Sequence, residues 1–460
     1  MQPVHTRSEL RAADEAAIAE VGLEALVGRA GYAVANAAIA LLGTAYGKRV
    51  IVVAGSGHNG DDGRVASRIL RRRGARVRVV APPPDGGALA PCDLVIDAAY
   101  GTGFRGEYRA PEPPSGVPVL AVDIASGLDS DTGEAAEGAV RATSTVTMAA
   151  LKPGLLLGDG PALSGAVTVA SIGIAVAPSL LYLVDDDDLD PGLPERARSG
   201  HKWQTACALV AGSPGMLGAA HLTASGAMRA GAGMVRWCVP GASPDALPST
   251  EAVARAIPAE GFADDVLAEL QRCHALVVGP GLGTAPGVQA AVRDLIARAK
   301  VPVLVDADGL TALGSADAAT EVLAGRGAPA ILTPHDREFE RLAGRSPGPD
   351  RVGAARELAY RLGAVVLLKG STTVVAAPGG LALLVTAGSS RLATAGTGDV
   401  LSGVVGAFLA RGLDTLLAGA LGAHVHGRAA SLGHREGLVA GDLPELVAQV
   451  LSGAGRTSAG

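Results

Sequence analysis

A chain of 460 residues exceeds what one core usually encloses, so two domains are expected, and a net charge of −6 with scattered basic residues argues against a nucleic-acid partner. The four cysteines, Cys92, Cys207, Cys238 and Cys273, contain no C-x-x-C pair, which excludes a zinc ribbon or disulfide framework and fits a cytoplasmic home. The first twenty residues carry acids early and no apolar run, so no signal peptide is expected.

In chain order, 8–22 and 23–43 read as helices. The runs RVIVVA (49–54), ARVRVV (75–80), DLVIDAAYG (93–101), VPVLAVDI (117–124) and AVTVASIGI (166–174) read as short buried strands, an alternation that predicts a doubly wound, mostly parallel sheet. Residues 161–184 are uncharged and long enough to cross a bilayer, but their Gly, Ser and β-branched content and the acids that follow favour a strand buried in a sheet, so no membrane partner is expected. The acidic, proline-bearing stretch DDDDLDPGLPERARSG (185–200) reads as a solvated linker. The predicted organisation is therefore a domain over 1–185, a linker over 186–199 and a second domain over 200–455.

In the second half, ACALVAG (206–212), HALVVG (274–279), VPVLVDADG (301–309), PAILTP (329–334) and AVVLLKG (364–370) read as strands. Helical stretches at 218–231 and 285–300 lie between them. A strand pair across Pro378-Gly379-Gly380 follows, then three helices around 396–412, 422–433 and 441–453. The halves share a fold class, α/β with a three-layer arrangement of helices on a mostly parallel sheet, but no aligned repeat.

Gly55 to Gly60 fit G-x-G-x-x-G, yet Asp61 and Asp62 would set two negative charges beside a pyrophosphate at the helix start, and the next strand ends in prolines rather than an acid. A polar cup at the carboxyl edge of the sheet is the better account. There Asn59, Asp97 and Ser126 could hold a hard cation and Asp123 could act as acid or base; glycine turns capped by aspartates explain the same residues equally well.

The stretch TAGTGDVLSG (394–403) sets Gly396, Thr397 and Gly398 directly before Asp399 and an apolar helix. Backbone N–H groups there can face an anion while Asp399 takes a hydroxyl proton during phosphoryl transfer. A simple N-cap role explains Asp399 but not the small residues before it. Lys369, Gly370, Ser371, Thr372 and Thr373 offer a charge and small polar groups to a nucleotide, and the absence of G-x-x-x-x-G-K-[ST] excludes a P-loop. His424 and His426, two apart, read as core residues rather than a metal pair.

The motifs GSGHNGDDG, DAAYGTGFRG and DIASGLDSDTG resemble the NAD(P)H-hydrate epimerase domain, which gives the first half a Rossmann-like fold. The resemblance implies that His58, Asn59, Gly60, Asp61 and Asp62, with Gly101, Thr102, Gly103, Phe104, Arg105, Gly106 and Glu107, line the hydrated nicotinamide nucleotide. It also implies that Asn59, Asp97 and Ser126 ligate K+ and that Asp123 touches substrate. The chain departs from the pattern at His58, Asp61 and Ala125, where the family has Asn, Gly and Pro.

The G-T-G-D helix start resembles the ribokinase-like superfamily. With LVVGPGLGT, VLVDADGL and LTPHDREFERL, the region from Ser199 to Leu451 resembles the ADP/ATP-dependent NAD(P)H-hydrate dehydratase domain. Implied nucleotide contacts are Lys369 to Thr373 and Gly398, and implied hydrate contacts are Ala219, Gly281, Gly283, His335 and Asp399. HKWQTA lacks the family's glycines, and PHDRE replaces Pro-His-Pro-Gly-Glu.

The resemblance thus implies a bifunctional repair enzyme that takes NAD(P)H hydrates with ADP or ATP, Mg2+ and K+, using Asp399 and Asp123 catalytically; a homo-oligomer is expected beside it. The competing expectation is a small-molecule kinase, for instance of a vitamin precursor, with a non-catalytic N-terminal ligand-binding module.

Overall fold

The computed structural model describes residues 1–194, 198–247 and 250–453. They form two compact units, Gln2–Ser179 and Leu180 to the C-terminus, the second also holding Met1.

Strands are numbered along the chain from a two-residue β1 (Gln2–Pro3). The first unit contains β2 (Arg49–Ala54), β3 (Arg76–Val80), β4 (Leu94–Ala98), β5 (Val119–Val122), β6 (Ser144–Met148) and β7 (Ala166–Ala170), in the order β3-β2-β4-β5-β6-β7. Every neighbouring pair is parallel. Such strands are apolar on both faces because both are covered. On one side Val50, Val52, Leu94, Ile96 and Leu120 pack with Val34, Ala35 and Ala38 of the helix Leu23–Leu42. On the other, Ile51, Val53, Val95, Val119 and Ala121 pack beneath loops.

The Arg7–Val21 helix starts at a capping box in which the Thr6 backbone N–H donates to Glu9 Oε2 at 2.7 Å. The Leu23–Leu42 helix has the length and apolarity of a membrane span, but its buried side chains belong to the core. At Gly31 it presses on the helix His58–Arg72, where an added Cβ would lie 2.4 Å from Val65 and 3.0 Å from the Asp62 carbonyl.

Two expectations change here. The sequence reading omitted β6, because its buried Thr145 and Thr147 break the apolar run; Thr145 is satisfied by donating to the Ser164 carbonyl at 2.7 Å. It also took 166–174 as a buried strand, whereas β7 is an edge strand with neighbours on one side only, and Val169 is exposed.

In the second unit, β8 (Leu181–Leu183), β9 (Ala206–Val210), β10 (Met234–Pro240), β11 (Val253–Ile257), β12 (Ala275–Val278), β13 (Val303–Val305), β14 (Ala330–Leu332), β15 (Val365–Leu368), β16 (Thr373–Ala376) and β17 (Ala382–Val385) run in the order β8-β17-β16-β15-β14-β13-β12-β9-β10-β11. Only the β15–β16 and β16–β17 pairs are antiparallel, the latter being the predicted hairpin. Strands β8, β10 and β11 were not predicted. The expected closing helices are Thr397–Ala410, Thr415–Leu432 and Leu443–Leu451.

The helix Thr397–Ala410 crosses Leu217–Arg229 backbone against backbone. A Cβ on Gly403 would lie 2.0 Å from the Thr223 carbonyl oxygen, and one on Gly226 would lie 2.5 Å from that of Val400.

The acidic stretch differs from the solvated linker expected at 186–199. Asp186 is held by His424 at 2.8 Å and Arg428 at 3.0 Å, both from the helix Thr415–Leu432, and Leu189 is fully buried. Arg428, distant in sequence, compensates the acid, and His424, whose pKa burial lowers, adds a hydrogen bond. His424 and His426 are both buried, as expected of core residues.

Candidate functional site

A cavity of about 620 Å³ opens in the first unit above the ends of β2, β4, β5 and β6. His58, Asn59 and Asp62 contribute from the first turn of their helix, with Tyr100, Gly101, Thr102, Gly103 and Phe104 from the loop after β4. Asp123, Ala149 and Lys152 come from the turns after β5 and β6, and Asp14 from the Arg7–Val21 helix.

Other candidates turn elsewhere. Gly60 lies against the Gly55 carbonyl, 2.0 Å from where a Cβ would stand. Asp61 accepts from Arg64 at 3.0 Å, and Arg64 also donates to the Gly55 carbonyl at 2.7 Å. Arg105 pairs with Asp129 at 3.0 Å, and Arg105, Gly106 and Glu107 are exposed and do not line the cavity.

Asp123 has φ 69°, and the Ile124 N–H donates back to the Val122 carbonyl at 2.8 Å, a tight γ-type turn. Ala149, after the neighbouring strand, repeats this with φ 64° and an Ala150-to-Met148 bond of 2.7 Å. These turns aim the Asp123 carboxylate at Lys152 Nζ, 2.7 Å away. Lys152 is 2% exposed and also donates to Thr147 Oγ1 at 2.7 Å and the Met148 carbonyl at 3.2 Å. Lys152 escaped sequence reasoning, because its partner stands on another strand end.

Asp97 is buried behind the cavity wall. It accepts from the Ser126 backbone N–H at 2.8 Å and the Ser126 hydroxyl at 2.7 Å, and burial pushes its carboxyl up to about 6 despite those bonds. Asn59 Nδ2 donates to the Tyr100 carbonyl at 2.9 Å, and Ser126 Oγ lies 3.1 Å from the same oxygen. Asn59 and Ser126 thus meet at one carbonyl, and Asp97 joins them through Ser126. Among the described residues no ion pair includes Asp97, and its oxygens with those of Ser126 and Tyr100 form an oxygen-rich cluster that could hold a hard cation.

In the second unit Gly396, at φ 91°, starts the helix of Asp399. That φ lies in the region that favours glycine, and a Cβ there would also press on Leu222 Cδ1 at 2.5 Å. Asp399 is pushed up to about 7 by burial first and by the nearby Asp306 and Asp308 carboxylates, with Lys369 opposing. Lys369 Nζ bonds Asp306 Oδ1 at 2.8 Å and stands 3.7 Å from Glu338; it also lies 3.8 Å from where a Gly398 Cβ would be. Asp306, 2% exposed, takes a second bond from Ser402 Oγ at 2.6 Å. Burial opposes its charge, but Lys369, Ser402 and Thr333 hold the carboxyl below the usual range.

The proposed hydrate contacts border the same corner. A Cβ on Gly281 (φ 65°) would lie 2.9 Å from that of Ala219, and the Gly283 N–H donates to Asp308 Oδ2 at 2.8 Å. His335 caps the helix Asp336–Ala343, its Nδ1 accepting from Arg337 and Glu338, with the ring half exposed. Around the proposed nucleotide contacts, Arg351 donates to the Lys369 carbonyl at 2.9 Å beside Gly370, Ser371 is exposed and Thr372 is buried before β16 begins at Thr373. Thr397 Oγ1 is spent on the Leu392 carbonyl at 2.8 Å. Asp306, Asp308, Glu338 and Arg351 escaped sequence reasoning, although acids directly after a strand were the available signal for the first two.

Residues 207–452 match the family model described as NAD(P)H-hydrate dehydratase, and residues 23–90 and 84–154 match that of the YjeF-related protein N-terminus. The chain is 39% identical to the bifunctional NAD(P)H-hydrate repair enzyme of Mycobacterium leprae over 482 residues, covering 98% of each. It is 36% identical to the enzyme of that name from Moorella thermoacetica, covering 88% of this chain and 87% of that one. The ADP/ATP-dependent NAD(P)H-hydrate dehydratase of Bacillus subtilis, co-crystallised with ATP and Mg2+, superposes with a TM-score of 0.52 at 32% identity, over 59% of this chain and 98% of that one.

Proposed function

Because the chain belongs to the family of bifunctional NAD(P)H-hydrate repair enzymes, we propose that its two units divide one repair between them. The first unit interconverts the R and S hydrates of NADH and NADPH in the cavity that Asp123 and Lys152 border. The second dehydrates the S form with ADP, releasing AMP and phosphate and restoring the reduced nicotinamide.

Direct loss of hydroxide from the hydrated ring is slow, and phosphorylation supplies a better leaving group. Asp399 takes the proton of the ring hydroxyl as that oxygen attacks the terminal phosphorus of the nucleotide. The bond to the bridging oxygen breaks and AMP departs. Phosphate then leaves with the C–O electron pair, the ring nitrogen donates its lone pair, and loss of a proton from the adjacent carbon restores the double bond. A base with a pKa matched to neutral pH is worth roughly 10² to 10⁴ in rate.

Lys369 and the backbone of Gly396 to Gly398 stabilise charge on the moving phosphoryl group. Magnesium would come with the nucleotide's phosphates and would supply charge neutralisation there. In the first unit Asn59, Asp97 and Ser126 would hold K+, which would offset the buried Asp97 charge and would fix the loop after β4. The proposed compartment is the cytoplasm, where the four unpaired cysteines stay reduced.

The carrying observation is Asp399, raised to about 7 beside Lys369 at a glycine-started helix. The test mixes purified protein with S hydrate and ADP or ATP. Recovery of reduced-nicotinamide absorbance is expected, and Asp399→Asn loses it. Accumulation of a stable phosphorylated compound without that absorbance would establish the small-molecule kinase instead.

A further inference from the structure

Asp61 and Asp62 are adjacent but meet different surroundings. Asp61 turns outward to Arg64, whereas Asp62 is 8% exposed and lines the cavity that Asp123 and Lys152 share. Among the described residues no hydrogen bond or ion pair engages the Asp62 carboxyl. The Asp123 carboxylate, by contrast, is matched by Lys152 at 2.7 Å. One cavity therefore presents a buried, unpaired carboxyl group and a carboxylate–ammonium pair.

Epimerisation needs that division. The inverting carbon bears both the hydroxyl and the ring nitrogen, so inversion requires one bond at it to open and to close again on the opposite face. An acid and a base are needed, and a lone buried carboxyl facing a carboxylate held by an ammonium offers both.

Resting on the epimerase reading above, we infer that Asp62 is the general acid that works with the Asp123–Lys152 pair to open and reclose the hydrated ring. Asp123 accepts the hydroxyl proton while the carbon–oxygen double bond forms and the carbon–nitrogen bond breaks. The released electron pair stays on nitrogen, which takes the Asp62 proton. After rotation of the aldehyde, nitrogen attacks its other face and returns that proton to Asp62, while Asp123 returns its own to the alkoxide. Nothing is oxidised or reduced, and no proton is gained or lost over the cycle.

The groups facing Asp62 support this role. Burial first, then Asp123 from the end of β5, its chain neighbour Asp61, and Asp14 from the Arg7–Val21 helix all disfavour its charge, pushing it up to about 8. Lys152 is committed to Asp123 and Thr147, and Arg64 to Asp61 and Gly55. His58 belongs to the same helical turn as Asp62, and Arg11 and Glu15, which complete the charged rim, pair with each other at 2.9 Å. Asp62 therefore holds its proton at neutral pH and releases it as pH rises through about 8.

The experiment follows R-to-S interconversion by the full-length protein across pH. In the wild type, kcat is expected to fall as pH rises through about 8. Asp62→Asn keeps the side chain's shape and should lower kcat about 10²- to 10⁴-fold with little change in KM, and should abolish the alkaline limb. ADP-dependent dehydration by the same variant should persist, which monitors the intact second unit. In heavy-oxygen water the epimerised hydrate should keep its original oxygen, because the open aldehyde carries it through.

An Asp62→Asn variant with wild-type kcat, or with a lowered kcat and an unchanged alkaline limb, overturns the acid role alone. Solvent oxygen in every epimerised molecule does the same, and neither the isotope test nor the wild-type pH profile needs a variant. A wild-type protein that leaves both epimers untouched overturns the epimerase reading itself.

Discussion

Adding one methyl group at Gly403 tests how the phosphoryl-transfer corner is built. The new Cβ would stand 2.0 Å from the Thr223 carbonyl oxygen and 2.8 Å from the Ala227 nitrogen, both backbone atoms that cannot rotate away. Restoring ordinary contact of roughly 3.5 Å requires the two helices to part by about 1.5 Å. Overpacking of this kind destabilises by roughly 1 to 3 kcal/mol. Gly403 lies one turn beyond Asp399, and a displacement of about 1 Å at a reacting group can remove ~10²-fold in rate. Gly403→Ala is therefore expected to lower dehydration kcat about 10²-fold and to lower the Tm of the second unit, while R/S interconversion, whose cavity residues all lie before Ser179, is unchanged. Gly325→Ala, which meets nothing within 4 Å, serves as the control. Absorbance recovery with ADP, paired with calorimetry, reads both effects. A Gly403→Ala protein with wild-type kcat and Tm would refute the helix-crossing argument.

Dehydration should strengthen as pH rises through about 7, because Asp399 must be ionised to accept a proton; a rate that declines over that range contradicts its role as base. Lys369→Ala should end nucleotide-dependent turnover and destabilise the second unit by roughly 3 to 5 kcal/mol, since Asp306 would be left buried without its cation, and denaturant titration measures this. Exchanging K+ for tetramethylammonium should slow epimerisation and leave dehydration alone. A K+-independent epimerase would rule out the Asn59, Asp97 and Ser126 cluster as its site.

Most strands were legible because parallel strands buried on both faces form dense apolar runs, as RVIVVA and ACALVAG do. β6 escaped because its two threonines interrupt the apolar run, their hydroxyls being satisfied by the Ser164 carbonyl and by Lys152. The acidic stretch at 185–188 misled because the partners of Asp186, His424 and Arg428, lie on a helix more than two hundred residues onward. At the sites, the glycine-led loops were readable because glycine at positive φ leaves a local mark, as at Gly281 and Gly396. The pairs Asp123–Lys152 and Asp306–Lys369 were not, because each joins side chains from different strand ends, which only the folded sheet brings together.

The left-handed backbone at Asp123 and Ala149 has an implication for anyone seeking a hardier version of this protein. Left-handed geometry at a residue with a side chain is worth roughly 1 to 3 kcal/mol of instability, so a thermostability screen would be drawn to glycine at position 149. That gain would slacken the bend preceding Lys152, the residue that holds the Asp123 carboxylate in place. Heat tolerance and turnover in the first unit are thus set against each other at a single alanine.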